Sequence, residues 1–253
     1  MRASDFFEGI PQVRAHWGDA TVPVPTFYQD TRVLSAMFLA PLQQVRNLLP
    51  SRRLHPLRPT PWHGLVHIAG YEYRVCDLGP YNEVGISIPV SLDRPAPVFT
   101  GLLLPPPAEP DVHILHLPVT TEIACTLGVE FAAYPKFVAD IAFSEQGDWV
   151  GCRVSEGEQE ILTLRVRKGQ PKPFPRSRAH AINARDGRLL RAMVVYAERE
   201  TAISRRRGDA NIRLGDHRIS QELLDLHLGA MVQCEYTPSM QSILTPVLES
   251  FAV

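Results

Sequence analysis

Apolar and β-branched residues occur along the chain in short runs, many of them alternating with polar residues and separated by proline or glycine. Such runs are typical of β-strands. They occupy residues 32–40, 64–75, 82–92, 112–119, 137–143, 149–154, 160–168 and 188–198. A turn is predicted at 78–80, where Leu-Gly-Pro separates two of the runs. The pattern therefore predicts a chain dominated by strands.

Helical spacing is rarer. Residues 41–49 follow a helix-opening proline, 120–131 have an N-cap at Thr120 or Thr121, and 220–228 have Ser220 as N-cap. Residues 233–236 are expected to add a strand, and the last dozen residues a closing helix. Three proline-interrupted stretches are predicted to be irregular. They are 1–30, 50–62 and 96–110.

The spacing between strands is too short for βαβ crossovers, so the sheets are predicted to be antiparallel. Two packed sheets or a closed barrel would both satisfy this pattern. We find no internal repeat and no linker, and therefore expect one domain over residues 1–253. The fold class is mainly β with a few short helices.

Composition and charge exclude several classes of function. The 26 basic and 27 acidic residues give a net charge of −1, which argues against a nucleic acid or an anionic membrane as the main partner. No apolar run reaches the length of a membrane span, and no secretion signal is recognisable at the N-terminus. The four cysteines are scattered, and no metal-binding spacing is present, so a cytoplasmic, metal-free protein is expected.

Lysine is scarce: only Lys136, Lys168 and Lys172 occur in the chain. The latter two lie in a polar loop, whereas Lys136 lies in EFAAYPKFVADIAF, where a helix is predicted to end and a strand to begin. One interpretation is structural: the stem covers apolar surface, and the ammonium reaches water or an acidic neighbour such as Asp140 or Glu130.

The other interpretation is catalytic. A free lysine amine has a pKa of about 10.4 and is protonated at neutral pH, so it cannot attack a carbonyl. Burial disfavours the charged form and can lower a lysine pKa by up to about 3–5 units. Position alone leaves both interpretations open.

The residues around Lys136 resemble a known family. Residues 128–136, GVEFAAYPK, are similar to the acetoacetate decarboxylase signature Gly-x-Glu-x-x-x-Tyr/Phe-Pro-Lys, whose lysine forms a Schiff base. Residues 81–90, YNEVGISIPV, resemble the family strand in which a glutamate precedes Gly-x-x-Ile-Pro-Val. Weaker similarities at 48–50 and 214–217 extend the likeness over about residues 25–250.

The resemblance implies a closed, cone-like β-barrel, a homo-oligomer and cofactor-independent chemistry. It implies Lys136 as the Schiff-base residue and Glu83 as the carboxylate that handles protons near the imine. Four further residues are expected to bind the substrate. They are Arg32, His67, Tyr134 and Phe137.

Three of these positions depart from the family. Phe137 replaces a second lysine, His67 falls where a carboxylate is usual, and Thr31 falls at the position of a family arginine, with Arg32 beside it. With no second ammonium next to Lys136, burial would have to activate its amine alone.

The sequence therefore predicts a carbon–carbon lyase that forms a lysine Schiff base with a small keto acid, with decarboxylation of a β-keto acid as the family reaction. Imine-based dehydration or aldol chemistry is an alternative. A barrel that binds a small molecule without catalysis is a second alternative, in which Lys136 is merely structural.

Overall fold

Seventeen strands and three helices make up the part of the chain that the computed structural model describes, residues 6–17, 20–98 and 109–253. The strands are Val13–Trp17 (β1), Ala20–Val24 (β2), Thr26–Pro41 (β3), Leu54–Pro56 (β4), His63–Cys76 (β5), Tyr81–Leu92 (β6), Asp111–Val119 (β7), Lys136–Val138 (β8), Asp140–Gln146 (β9), Trp149–Glu156 (β10), Gln159–Arg167 (β11), Lys172–Phe174 (β12), Ser177–Arg185 (β13), Arg188–Tyr196 (β14), Arg199–Ser204 (β15), Ala210–Leu214 (β16) and Met231–Ala252 (β17). The helices are Leu42–Asn47 (α1), Glu122–Ala132 (α2) and Arg218–Asp225 (α3).

Seven strands close into a barrel. They follow the order β17-β14-β13-β7-β6-β5-β3, and the ring closes because β17 pairs with β14 on one edge and with β3 on the other. Within the barrel only the short β7–β13 contact is parallel. The remaining neighbours are antiparallel, as the short predicted connections require. The predicted mainly β, barrel-forming fold is therefore confirmed.

A second sheet, of order β16-β11-β10-β9, packs against the outer face of the barrel. Its apolar side chains, such as Leu162 and Leu164, are fully buried with Leu34, Ile68 and Ile86 of the barrel wall. Because side chains alternate along a strand, the apolar face of β3, β5 and β6 is turned toward this sheet and the opposite face toward the barrel interior. The main apolar core thus lies outside the barrel.

The structure corrects the predicted closing helix. Residues 242–252 belong to β17 and pair with β14, and residues 242–244 also pair with β3. Pro246 is accommodated at an irregularity, where Val247 faces Ala192 and Leu244 faces Val194. Proline is tolerated in strands at such bulges, and pairing with β14 overrides a weak local signal.

The N-terminal region also differs from the prediction. Residues predicted to be irregular form the β1–β2 ribbon and the first part of β3. Pro23 fits because each strand of a two-stranded ribbon has one edge without ladder hydrogen bonds. Part of the predicted loop at 50–62 forms β4, and most of the predicted irregular stretch 96–110 lies outside the described residues.

Helix α3 begins two residues earlier than predicted and has a different cap. The Nδ1 atom of His217 accepts a hydrogen bond from the Ile219 amide at 3.2 Å. Ser220, the predicted N-cap, lies inside the helix and donates to the Ile161 carbonyl oxygen at 2.6 Å. The cap is therefore an imidazole.

Candidate active site

The barrel interior is lined by polar side chains. Across β5 and β6, Tyr71 faces Glu83 and His67 faces Ser87, and β3 places Thr31 opposite Tyr73. Thr31 is fully buried and Glu83 is 7% exposed. Ionisable and hydroxyl groups are seldom buried without a partner or a function, so this face is the candidate site.

Lys136 enters this interior at the junction of α2 and β8. Helix α2 ends at Ala133, which has a left-handed backbone conformation with φ 53°. The amide of Tyr134 donates to the carbonyl of Gly128, and that of Leu117 donates to the carbonyl of Pro135. These hydrogen bonds connect the helix end to β7 and fix the backbone of Lys136.

Gly128 gives the lysine stem its path across α2. A Cβ atom at this position would lie 2.4 Å from both Cδ and Cε of Lys136. Carbon atoms do not approach this closely, so the stem can lie against the helix only because residue 128 has no side chain. The structure thus gives a physical reason for the glycine of the GVEFAAYPK motif.

The amine of Lys136 forms an ion pair with Glu83. Its Nζ lies 2.7 Å from Oε2, and the two side chains are 7% and 9% exposed. Nζ also lies 5.8 Å from the centre of the Tyr81 ring. The two residues that the sequence resemblance nominated as catalytic are therefore in direct contact inside the barrel.

Four tyrosines, which we call the tyrosine cluster, surround Glu83. They are Tyr28, Tyr71, Tyr73 and Tyr81. The hydroxyl of Tyr73 donates to Glu83 Oε1 at 3.2 Å, so both carboxylate oxygens are engaged. The pKa of Tyr73 is raised well above its usual value, chiefly by burial and next by the charge of Glu83. The pKa values of the other three tyrosines are also raised, again chiefly by burial. The phenols of the cluster therefore stay protonated donors.

Tyr134, predicted to bind substrate, is buried near the same site. Burial, followed by the charge of Glu83, raises the pKa of its phenol. A cavity of about 30 Å³ lies beside Tyr134, Lys136 and Gly128, and its other walls are mainly apolar. The stem side of Lys136 is thus apolar, whereas its amine faces a carboxylate.

His67, also predicted to bind substrate, lies on the interior face but farther along the strand. It pairs with Ser87, four residues from the Tyr71–Glu83 pair, which corresponds to about 13 Å along an antiparallel strand. Burial lowers its pKa, and the charge of Glu235 acts in the opposite direction. His67 therefore belongs to the interior but not to the immediate surroundings of the amine.

The structure does not bring Arg32 to the amine. Its guanidinium forms ion pairs with Glu72, at 2.8 Å, and with Glu145, and it lies over the Phe143 ring on the outer face of β3. Thr31, one position earlier, faces the interior instead. A shift of one residue along a strand reverses the face, so Arg32, which the sequence predicts to bind substrate, points away from the site.

Phe137 likewise lies on the opposite face of its strand. It packs against the main apolar core, while its neighbour Lys136 points toward Glu83. A side chain at position 137 therefore does not set the charge next to the amine. The absence of a second lysine at this position leaves the immediate surroundings of Lys136 unaltered.

Sequence reasoning missed the tyrosine cluster and Arg199, which enters the same interior from β15. Alternation along β5 shows that Tyr71 and Tyr73 share a face, but only the barrel closure shows which face is internal. Among the described residues, no group of three histidine, cysteine, aspartate or glutamate side chains is arranged to hold a metal ion. Within the same ranges, no helix is long and apolar enough to cross a membrane.

The chain is similar to known proteins in its sequence profile and in its fold. The sequence profile of the acetoacetate decarboxylase (ADC) family matches residues 9–241. No curated protein shows significant sequence similarity to the chain. The chain belongs to the acetoacetate decarboxylase family.

Solved structures share the fold at low sequence identity. Acetoacetate decarboxylase from Legionella pneumophila has a TM-score of 0.64 and 13% identity, covering 99% of this chain and 94% of that one. The enduracididine biosynthesis enzyme MppR complexed with pyruvate has a TM-score of 0.62 and 12% identity, covering 90% and 92%. An acetoacetate decarboxylase-like enzyme from Sphingomonas wittichii RW1 has a TM-score of 0.54 and 14% identity, covering 88% and 92%.

Proposed function

We propose that this protein is a lyase that forms a Schiff base between Lys136 and a small keto acid, and that it decarboxylates a β-keto acid. The observation that carries the proposal is the buried pair of Lys136 Nζ and Glu83 Oε2 at 2.7 Å. An amine held beside a carboxylate has both the nucleophile and the proton acceptor that imine formation needs.

Imine formation begins with transfer of a proton from the ammonium of Lys136 to Glu83. The free amine attacks the ketone carbon, and the carbonyl oxygen takes up a proton to give a carbinolamine. Loss of water from the carbinolamine leaves a protonated imine. Glu83, which exchanges its proton at each of these steps, stays hydrogen-bonded to Tyr73 and so keeps its orientation.

Decarboxylation then uses the imine as an electron sink. The bond between the α-carbon and the carboxylate breaks, its electron pair moves toward the iminium nitrogen, and carbon dioxide leaves. The resulting enamine takes a proton at its α-carbon. Glu83, which is a carboxylate again once the carbinolamine has lost water, takes up this proton from solvent and passes it on. Water hydrolyses the new imine, releasing the ketone and the free lysine. No external oxidant or reductant is consumed.

A second reaction is favoured by the same contact. A carboxylate next to the imine can remove a proton from the α-carbon, which gives an enamine able to attack an aldehyde or to expel a β-hydroxyl. MppR, which shares the fold, has been solved with the condensation product of pyruvate and imidazole 4-carboxaldehyde. Aldol or dehydration chemistry on pyruvate is therefore the second candidate.

The first test traps the imine. The protein is incubated with acetoacetate or pyruvate and sodium borohydride, and the reduced adduct is located by mass spectrometry. We expect labelling at Lys136 and none in Lys136→Ala. Lys172, which is exposed, supplies the matched control, since Lys172→Ala should be labelled as fully as the wild type. Labelling of Lys168 or Lys172 but not of Lys136 would refute the proposal.

The second test distinguishes the reactions. Carbon dioxide release from acetoacetate identifies a decarboxylase, whereas solvent exchange of the pyruvate methyl protons without carbon dioxide release identifies enamine chemistry. A protein that only binds its ligand would form no adduct, and Lys136→Ala would leave its ligand affinity unchanged.

A further inference from the structure

Arg199 is a partly buried cation inside the barrel. It lies at the start of β15, on the face that carries Thr201, and the Thr201 hydroxyl lies 2.9 Å from that of Thr237 on β17. Thr237 pairs with Val33 of β3, and Val33 pairs with Tyr71 of β5. Residues paired across strands share a face, so Arg199 points into the same interior as Tyr71 and Glu83.

The guanidinium of Arg199 has weak partners. Its Nη1 donates to the Ser177 hydroxyl at 3.1 Å and to the Ala197 carbonyl at 3.4 Å, and its plane lies over the Phe174 and Tyr196 rings. Among the described residues, no carboxylate lies within ion-pair distance of it. Buried arginines are normally paired with an anion, so a guanidinium with only neutral partners is suited to bind one.

The electrostatics agree with this geometry. Burial lowers the pKa of Arg199, while the nearby Tyr196, Glu235 and Tyr71 act in the opposite direction. Glu235 acts on Arg199 only as a nearby charge, and its Oε1 accepts a hydrogen bond from the Gln233 amide at 2.7 Å. Among the described residues, the guanidinium of Arg199 thus has a carboxylate in its neighbourhood but none hydrogen-bonded to it.

Arg199 and the reacting amine are on separate parts of the wall. Three strands, β5, β3 and β17, lie between β15 and the Glu83 strand β6, which corresponds to about 19 Å along the sheet at about 4.8 Å per strand. The wall is closed, so its concave face turns these side chains toward each other. Tyr71 lies near both, since the charge of Glu83 raises its pKa and that of Arg199 lowers it.

We infer that Arg199 binds a carboxylate of the keto acid, one that is remote from the ketone that reacts with Lys136. This assignment rests on the proposed Schiff-base function and names its substrate class: keto acids in which at least two carbons separate the carbonyl from a carboxylate. For a decarboxylase the substrate would carry a second carboxylate, since the departing one is adjacent to the α-carbon. Arg32, turned outward, and Thr31, uncharged, leave β3 without an inward-facing cation for this role.

The test compares matched probes in the borohydride trapping assay. Levulinate carries a remote carboxylate, 2-pentanone is a methyl ketone of the same length without one, and pyruvate carries its carboxylate on the carbonyl carbon. In Arg199→Met we expect the half-saturating concentration of levulinate to rise about 10- to 100-fold, as for loss of a charge-assisted hydrogen bond, and that of 2-pentanone to be unchanged. The half-saturating concentration of pyruvate should rise much less than that of levulinate.

Two further variants keep the test decisive. Arg199→Lys, which retains the charge, should recover part of the levulinate affinity even if Arg199→Met folds poorly, and the circular dichroism melt of each variant reports folding. Arg213→Met, on an exposed arginine of the outer sheet, is the matched control and should resemble the wild type.

Unchanged levulinate trapping in both Arg199 variants, with Lys136 still labelled, would overturn this inference and leave the Schiff-base proposal standing. An effect on pyruvate or 2-pentanone as large as on levulinate would also overturn it, because the loss would not depend on a remote carboxylate. Absence of any Lys136 adduct with all three probes in the wild type would instead refute the proposed function itself.

Discussion

The fit between Gly128 and the Lys136 stem predicts the effect of a single added methyl group. In Gly128→Ala the new carbon would lie 2.4 Å from Cδ and Cε of the lysine. Carbon atoms in contact are about 3.5–4.0 Å apart, so the stem would have to retreat by about 1 Å or more. This displacement is large against the 2.7 Å hydrogen bond between Nζ and Glu83, which we expect to break.

The expected magnitudes separate catalysis from stability. A misplacement of about 1 Å at a reacting group costs about 100-fold in rate, equivalent to about 2.7 kcal/mol in activation free energy. In a helix, alanine is more stable than glycine by about 0.5–1 kcal/mol, whereas overpacking at this position costs about 1–3 kcal/mol. The first effect partly offsets the second, so the free energy of unfolding should fall by at most about 2.5 kcal/mol. The variant should therefore fold and yet trap keto acids about 100-fold more slowly.

The assay measures the initial rate of borohydride trapping with acetoacetate, together with the thermal melt. Gly229→Ala is the matched control, because its added carbon would meet Leu39 at an ordinary 3.5 Å and lies outside the site. Trapping by Gly128→Ala at the wild-type rate, with the label on Lys136, would refute the argument that the stem needs this glycine.

Three further predictions concern stability. Ala133→Gly should stabilise the protein by about 1–2 kcal/mol in urea unfolding, because glycine adopts a left-handed φ without penalty, and a destabilised variant would contradict this. Burial raises the pKa values of the tyrosine cluster, so the free energy of unfolding should fall as pH rises above about 10, where the unfolded chain loses its phenol protons first. These phenols should ionise only as the protein unfolds. A rise in absorbance at 295 nm before the circular dichroism changes would contradict this. Burial lowers the pKa values of His67, His113 and His180, so near pH 6.5 the unfolded chain binds more protons than the folded protein. The urea midpoint of unfolding should therefore fall as pH drops from about 7.5 to 5.5. A midpoint that rises would be inconsistent with neutral, buried imidazoles.

Local patterns in the sequence predicted the elements that carry the site. The runs at 64–75 and 82–92 are confirmed as β5 and β6, because their β-branched and aromatic residues suit a pleated sheet. The helix that ends before Tyr134-Pro135 is also confirmed, as α2. The family signature nominated Lys136 and Glu83 together, and the structure places the two in contact across 53 residues of sequence.

What the sequence could not show depends on long-range pairing. Arg32 and Thr31 are adjacent, and only the register of β3 against β5 and β17 decides that the threonine is internal. Arg199 lies in a segment where no strand was predicted, and its relation to Glu83 exists only after the barrel closes. Local sequence predicts a closing helix, whereas the pairing of residues 242–252 with β14 decides their conformation.

The double pairing of β17 has a consequence for how the protein folds. Val33 of β3 pairs with Thr237, so the seam that closes the barrel joins residues about 200 positions apart, and contacts of such separation slow folding. During synthesis β17 is the last of the described strands to be made, and until it arrives β3 has one edge unpaired. An unpaired strand of sixteen residues is an aggregation hazard. Lys136 and Glu83 can meet through β6, β7 and β8 before that point, but the compartment that excludes water around them is complete only when the final strand is in place.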